Sequence, residues 1–92
     1  MKNNDQTEAN ARTMDNLATA GLVYLIENTV PNASASYDEW IGKTIVKQGS
    51  VRCTAKMHKG KLVVKPYSTS AQSIASSVEL REHVEAISVF FN

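Results

Sequence analysis

The sequence predicts an α+β domain: a three-stranded antiparallel β-meander with helices packed on one face, in the order helix, short helical turn, three strands, helix. Three observations carry that prediction. Val51, Cys53, Ala55 and Met57 alternate with Arg52, Thr54, Lys56 and His58, the two-residue period of a half-buried strand. Apolar residues recur at three- and four-residue spacing towards both ends of the chain, the period of a helix lying on a core. A three-stranded sheet with one apolar face also needs a helical layer on that face to close a core. Ninety-two residues, 42% hydrophobic and 21% charged, make one small globular domain over residues 1–92 the expectation, with the polar start, residues 1–5, flexible. A chain this short buries about 60–65% of its unfolded surface, which suits a closed core better than a large internal cavity.

The first helix is expected from about Asp5 or Thr13 to Asn28. Met14, Leu17, Ala18, Gly21 and Leu25 fall on one face. Leu22, Val23, Tyr24 and Ile26 widen that face until the second half is apolar almost all round, which predicts cover on more than one side. Pro31 ends the helix, because the residue before proline is pushed out of the helical region. Pro31 to Ser36 reads as a small-residue connector. Ser36 with Glu39 has the spacing of a capping box, so a helical turn is expected around Tyr37–Ile41, clamped onto the core by Tyr37 and Trp40.

The strands follow. With Lys59-Gly60 as a two-residue loop, His58 faces Lys61, Met57 faces Leu62, Ala55 faces Val64 and Arg52 faces Tyr67, so that apolar residues meet on the inner face throughout. Lys43–Gln48 reads as a further strand, and Gly49-Ser50 suits a type II′ turn, which wants glycine first. The strands are expected at 43–48, 51–58 and 61–67. Ser76 with Glu79 makes a second capping box, and Leu80, Val84, Ile87 and Phe91 form one stripe of a final helix running to at least Ala86. Residues 87–91 stay open between helix and strand, since Ser-Val-Phe-Phe is β-prone.

The order of these elements and the alternation of the strands resemble the double-stranded-RNA-binding fold, which includes a class of small messenger-RNA-cleaving toxins. The resemblance covers roughly residues 43–87 and is one of topology. The RNA-binding family begins its last helix with lysines, where this chain has Ser70-Ala71-Gln72-Ser73-Ile74-Ala75. The toxins place a catalytic histidine after Gly-Ser at a strand start, where this chain has Val51 after Gly49-Ser50. Neither family's functional residues carry over.

Charge is segregated along the chain. Residues 1–39 hold two bases and six acids, and residues 79–92 hold one base and three acids. Residues 40–78 hold Lys43, Lys47, Arg52, Lys56, Lys59, Lys61 and Lys65 and no acid. Such segregation gives a bipolar surface field although the net charge is only +1. The outer sheet face is expected to carry Lys43, Lys47, Arg52, Lys56, His58, Lys61, Lys65 and Tyr67, with Ile45 and Val63 among them. A basic face with aromatic and aliphatic groups suits a phosphate backbone, and equally an acidic protein surface. Lysines also blunt edge strands against aggregation, but a solubilising face ordinarily mixes signs. Phe90 and Val89, off the core stripe, are a second candidate contact or a cap on the core edge.

Catalytic, cofactor and metal patterns are not seen. Cys53 and His58, five apart on one strand, point to opposite faces and make no nucleophile–base pair. His83 sits amid Glu79 and Glu82, the setting of a solvated histidine. One cysteine and two histidines at 53, 58 and 83 do not have zinc spacing. The lone cysteine implies no internal disulfide, and the N-terminus lacks a signal-peptide pattern. The longest apolar run, Ala18 to Ile26, is too short for a membrane span, so a cytoplasmic location without membrane contact is expected. The Asn32-Ala33-Ser34 glycosylation triplet is discounted for want of a secretory signal. The expectation is a small non-catalytic binding protein, engaging nucleic acid or a nucleoprotein complex through its basic face. By analogy, phages and mobile elements encode accessory and inhibitory proteins of this kind. The alternative is an inhibitor or assembly module for an acidic protein partner.

Overall fold

The structure, a computed structural model, describes residues 19–91. Helix α1 covers residues 19–29 in its described part and is followed by strands β1 (Ala33–Asp38), β2 (Lys43–Gln48), β3 (Val51–His58) and β4 (Lys61–Pro66). Helices α2 (Ala71–Ser76) and α3 (Val78–Glu85) come next, and a 3₁₀ helix, Ala86–Phe91, closes the chain. The strands form one antiparallel sheet in the order β1-β2-β3-β4.

The α+β class holds, but the sheet has four strands, not three. Residues 33–38, read above as connector and helical turn, form the extra strand, with Ala35 opposite Val46 and Tyr37 opposite Thr44. Two side chains bring this β-poor segment in: Glu27 Oε2 accepts the Ala35 N–H at 3.1 Å, and Gln48 Nε2 donates to the Pro31 carbonyl at 2.7 Å. The capping-box reading mistook the acid that turns the chain. Asp38 Oδ1 accepts the backbone N–H groups of Trp40 (2.9 Å) and Ile41 (3.4 Å), and the Gly42 N–H donates to the Asp38 carbonyl at 2.9 Å. Gly42 takes φ +67°, the left-handed value glycine accommodates without strain, and delivers the chain into β2. The helical turn is thus a single turn at a hairpin tip, where Trp40 is 97% exposed and Tyr37 is also exposed. Neither clamps onto the core.

The two remaining turns match the sequence reading. Gly49, at φ +63°, is the first residue of a two-residue loop, as a type II′ turn requires. Lys59 (φ 51°) and Gly60 (φ 79°) are both left-handed, the type I′ pattern, and pair His58 with Lys61, Met57 with Leu62 and Ala55 with Val64. β4 ends at Pro66, one residue sooner than expected.

Among the described residues the core is one cluster: Leu22, Ile26 and Val30 from α1 and its end, Val46, Cys53, Ala55 and Met57 from the sheet, and Leu80, Val84 and Ile87 from the C-terminal helices. Leu62, Val64 and Phe91 pack against its margin. The C-terminal stripe was therefore read correctly. The α1 face was read in part: Leu22 and Ile26, four apart, point inward and Leu25 packs beside them, while Gly21 is exposed and Tyr24 is 68% exposed. Over the described residues 19–29 one side of the helix, not several, is covered. Met14, Leu17, Ala18 and the helix start lie outside the described residues, as does the flexible start expected at 1–5.

The C-terminal layer begins earlier than expected. Ser70, not Ser76, is the N-cap, its hydroxyl accepting the Ser73 N–H at 3.1 Å. The α2–α3 joint is held by buried Ser77, whose hydroxyl donates to the Ser73 carbonyl at 2.6 Å and accepts from Arg81 Nε at 2.9 Å. Arg81 Nη2 also donates to the Ile74 carbonyl at 2.7 Å. Residues 87–91 settle as 3₁₀ helix rather than strand, because Ile87 and Phe91 continue the stripe that α3 buries. Among the described residues no helix is long and apolar enough to cross a membrane.

Candidate binding face

Strand parity assembles the outer face. Because Val46, Cys53, Ala55 and Met57 point into the core, Lys43, Ile45, Lys47, Arg52, Thr54, Lys56, His58, Lys61, Val63 and Lys65 point away from it. The register sets them in cross-strand rows. Lys47 lies opposite Arg52, Ile45 opposite Thr54, Thr54 opposite Lys65, Lys56 opposite Val63, and His58 opposite Lys61. Lys47, Arg52, Lys56, His58, Lys61 and Lys65 are exposed and Lys43 half-buried. Seven of the eight expected residues thus lie on strands of one face. The eighth, Tyr67, lies just past β4, and the Arg52 guanidinium stacks over its ring at 4.2 Å from the centroid, a cation–π contact.

The middle of the face is a shallow depression of about 310 Å³ lined by Lys43, Thr54, Lys56, His58, Val63 and Lys65. Its floor is Thr54, only 5% exposed, whose hydroxyl donates to the Lys65 carbonyl at 3.4 Å. Longer side chains around it supply the rim: three lysines, one histidine and one valine. At the Arg52 end a second depression, of about 230 Å³, brings Arg52 and Tyr67 beside the hydroxyls of Ser50, Ser68, Ser70 and Ser73. Like charges placed directly opposite, as Lys47 and Arg52 are, weaken a sheet. Stacking on Tyr67 offsets part of that cost for Arg52.

Two residues of this region escaped the sequence reading. Asp38, paired with Lys43, brings one carboxylate to the edge of the outer face, where its oxygen is engaged by the hairpin tip. Trp40 stands on that tip, not in the core. The Asp-x-Trp-x-Gly spacing of residues 38–42 was the available signal, since aspartate commonly accepts a backbone N–H two residues on and glycine takes the left-handed position that ends such a turn.

Elsewhere, Cys53 is buried on the inner face, and burial pushes its thiol up to about 11. It stays protonated at neutral pH, and His58 lies on the opposite face. Among the described residues no three His, Cys, Asp or Glu side chains are grouped so as to hold a metal ion. On the helical layer Phe90 is 63% exposed, with Val89 exposed beside it, while Phe91 packs at the core margin. Comparison with known proteins brings no match to a family model, a curated protein or a solved structure.

Proposed function

We propose that this is a small non-catalytic binding protein whose outer sheet face engages the phosphate backbone of nucleic acid, free or within a nucleoprotein complex. The observation that carries the reading is the cross-strand register: it gathers Lys43, Lys47, Arg52, Lys56, His58, Lys61 and Lys65 on one face, with Asp38 opposite Lys43 at its edge. Lys47 opposite Arg52 is a local cost that a phosphate between them turns into a gain. Ile45 and Val63 add apolar contact for sugar or base. The exposed Phe90 and Val89 support a second reading, a protein partner with an acidic surface that docks on the basic sheet face or at the C-terminal end.

Lys56→Glu combined with Lys65→Glu is the test. Both side chains are exposed, so thermal stability is expected to change by less than about 0.5 kcal/mol. Binding to DNA or RNA oligonucleotides, measured by anisotropy, is expected to disappear. For the unsubstituted protein, log K against log [salt] is expected to fall with a slope of about −0.9 for each phosphate neutralised on duplex and about −0.7 on single strands. Absence of binding to any nucleic acid at low salt removes this reading and leaves the acidic protein partner.

A further inference from the structure

We infer that the β1–β2 hairpin is a base-stacking finger, so that the nucleic acid held by the basic face is single-stranded at the position Trp40 meets. This rests on the reading above and specifies its substrate. Trp40 is 97% exposed, and packing among the described residues does not explain so large an apolar ring left in water. The backbone beneath it is nonetheless fixed. Asp38 Oδ1 accepts the N–H groups of Trp40 and Ile41, and the Gly42 N–H donates to the Asp38 carbonyl. A ring presented on a prearranged turn loses less freedom on stacking than one on a loose loop.

The finger stands at the rim of the basic face. Lys43 follows the turn directly and lines the central depression with Lys56 and His58. At the other end of the strands, Arg52 and Tyr67 form a second stacked platform. A strand of six residues covers about 20 Å. A short nucleic-acid tract crossing that distance meets cations along its backbone and flat π groups at both ends. This is the combination by which proteins hold unpaired bases, because every base has a stacking face and a duplex keeps those faces covered.

Trp40 is the sole tryptophan, so the contact is directly readable. Intrinsic fluorescence is followed during titration with a 12-nucleotide oligothymidylate, its oligouridylate counterpart and a 12-base-pair duplex at low salt. Expected are quenching by the single strands and not by the duplex, and about tenfold weaker single-strand affinity in Trp40→Ala, measured by anisotropy, with duplex affinity unchanged. Trp40→Phe is expected to recover most of the loss. A thermal melt of each variant establishes that the fold is intact. Single-strand binding with unquenched emission and no loss in Trp40→Ala overturns the inference while the basic-face reading stands. Equal affinity for duplex and single strand, untouched by Trp40→Ala, does the same. No binding at low salt overturns both and turns Trp40 towards a protein partner.

Discussion

Thr44 shows how a single side chain departs from the logic of its strand. It sits on the inner face of β2, 1% exposed, and its hydroxyl has no hydrogen-bond partner among the described residues. A buried, unpaired hydroxyl costs about 1–3 kcal/mol, and valine has nearly the same shape without it. Thr44→Val is therefore expected to raise stability by about 1 kcal/mol, seen as a rise of about 4–8 °C in thermal midpoint for a domain of this size. A lower midpoint would show that the hydroxyl finds a partner in solution. Residue-scale features of this kind were only partly legible. Cys53 was placed inward by the alternation of its strand, and Arg52 was correctly set against Tyr67. The alternation that turns Lys43, Ile45 and Lys47 outward leaves Thr44 inward, but nothing in the sequence shows that its hydroxyl lacks a partner there. Trp40 was misplaced because burial is the usual fate of an indole, and the turn that holds it out is made by backbone bonds to Asp38.

Among the elements, β2, β3, β4 and their turns were legible because each carries a two-residue period and a glycine at a left-handed position. β1 was not. Its Ala-Ser-Ala-Ser run has neither β-branched residues nor a strong apolar contrast, and its place in the sheet depends on partners outside it, chiefly Glu27 and β2. The helical layer was legible in its buried stripe and not in its joint. Serines at 68, 70, 73, 76 and 77 offer several competing caps, and tertiary packing selects Ser70. Arg81 ties α3 to α2 through the Ser77 hydroxyl and the Ile74 carbonyl. Losing hydrogen bonds from a charged donor at a partly buried site typically costs about 1.5–3 kcal/mol, and Arg81→Ala is expected to fall in that range in urea unfolding. Arg81→Lys is expected to recover little, since a single ammonium does not reproduce the two-pronged guanidinium geometry. Full recovery by lysine would show that charge alone, and not the fork, holds the joint.

Across the whole molecule, the charge blocks of the sequence become layers. Glu79, Glu82 and Glu85 lie on α3 in the helical layer, and the acid-free stretch supplies β2, β3 and β4 with their cationic outer face. The direction of that field was readable because strand parity fixes which side each lysine takes. The class of partner was not, because phosphate and carboxylate attract the same cations. The strand order has a kinetic consequence as well. Every neighbouring pair in the sheet is also consecutive along the chain, joined by turns of four, two and two residues at 39–42, 49–50 and 59–60. Closing such short loops costs little chain entropy, so each strand docks beside one that has only just been laid down. Refolding from urea is expected to be a single exponential in the millisecond range, the pace of mixed α/β domains with largely local pairing. Stopped-flow far-ultraviolet circular dichroism is the suitable probe, because the indole is in water both before and after the transition. A dominant phase lasting seconds would mean that the docking of α1 against the C-terminal helices, not the zipping of the hairpins, limits the rate.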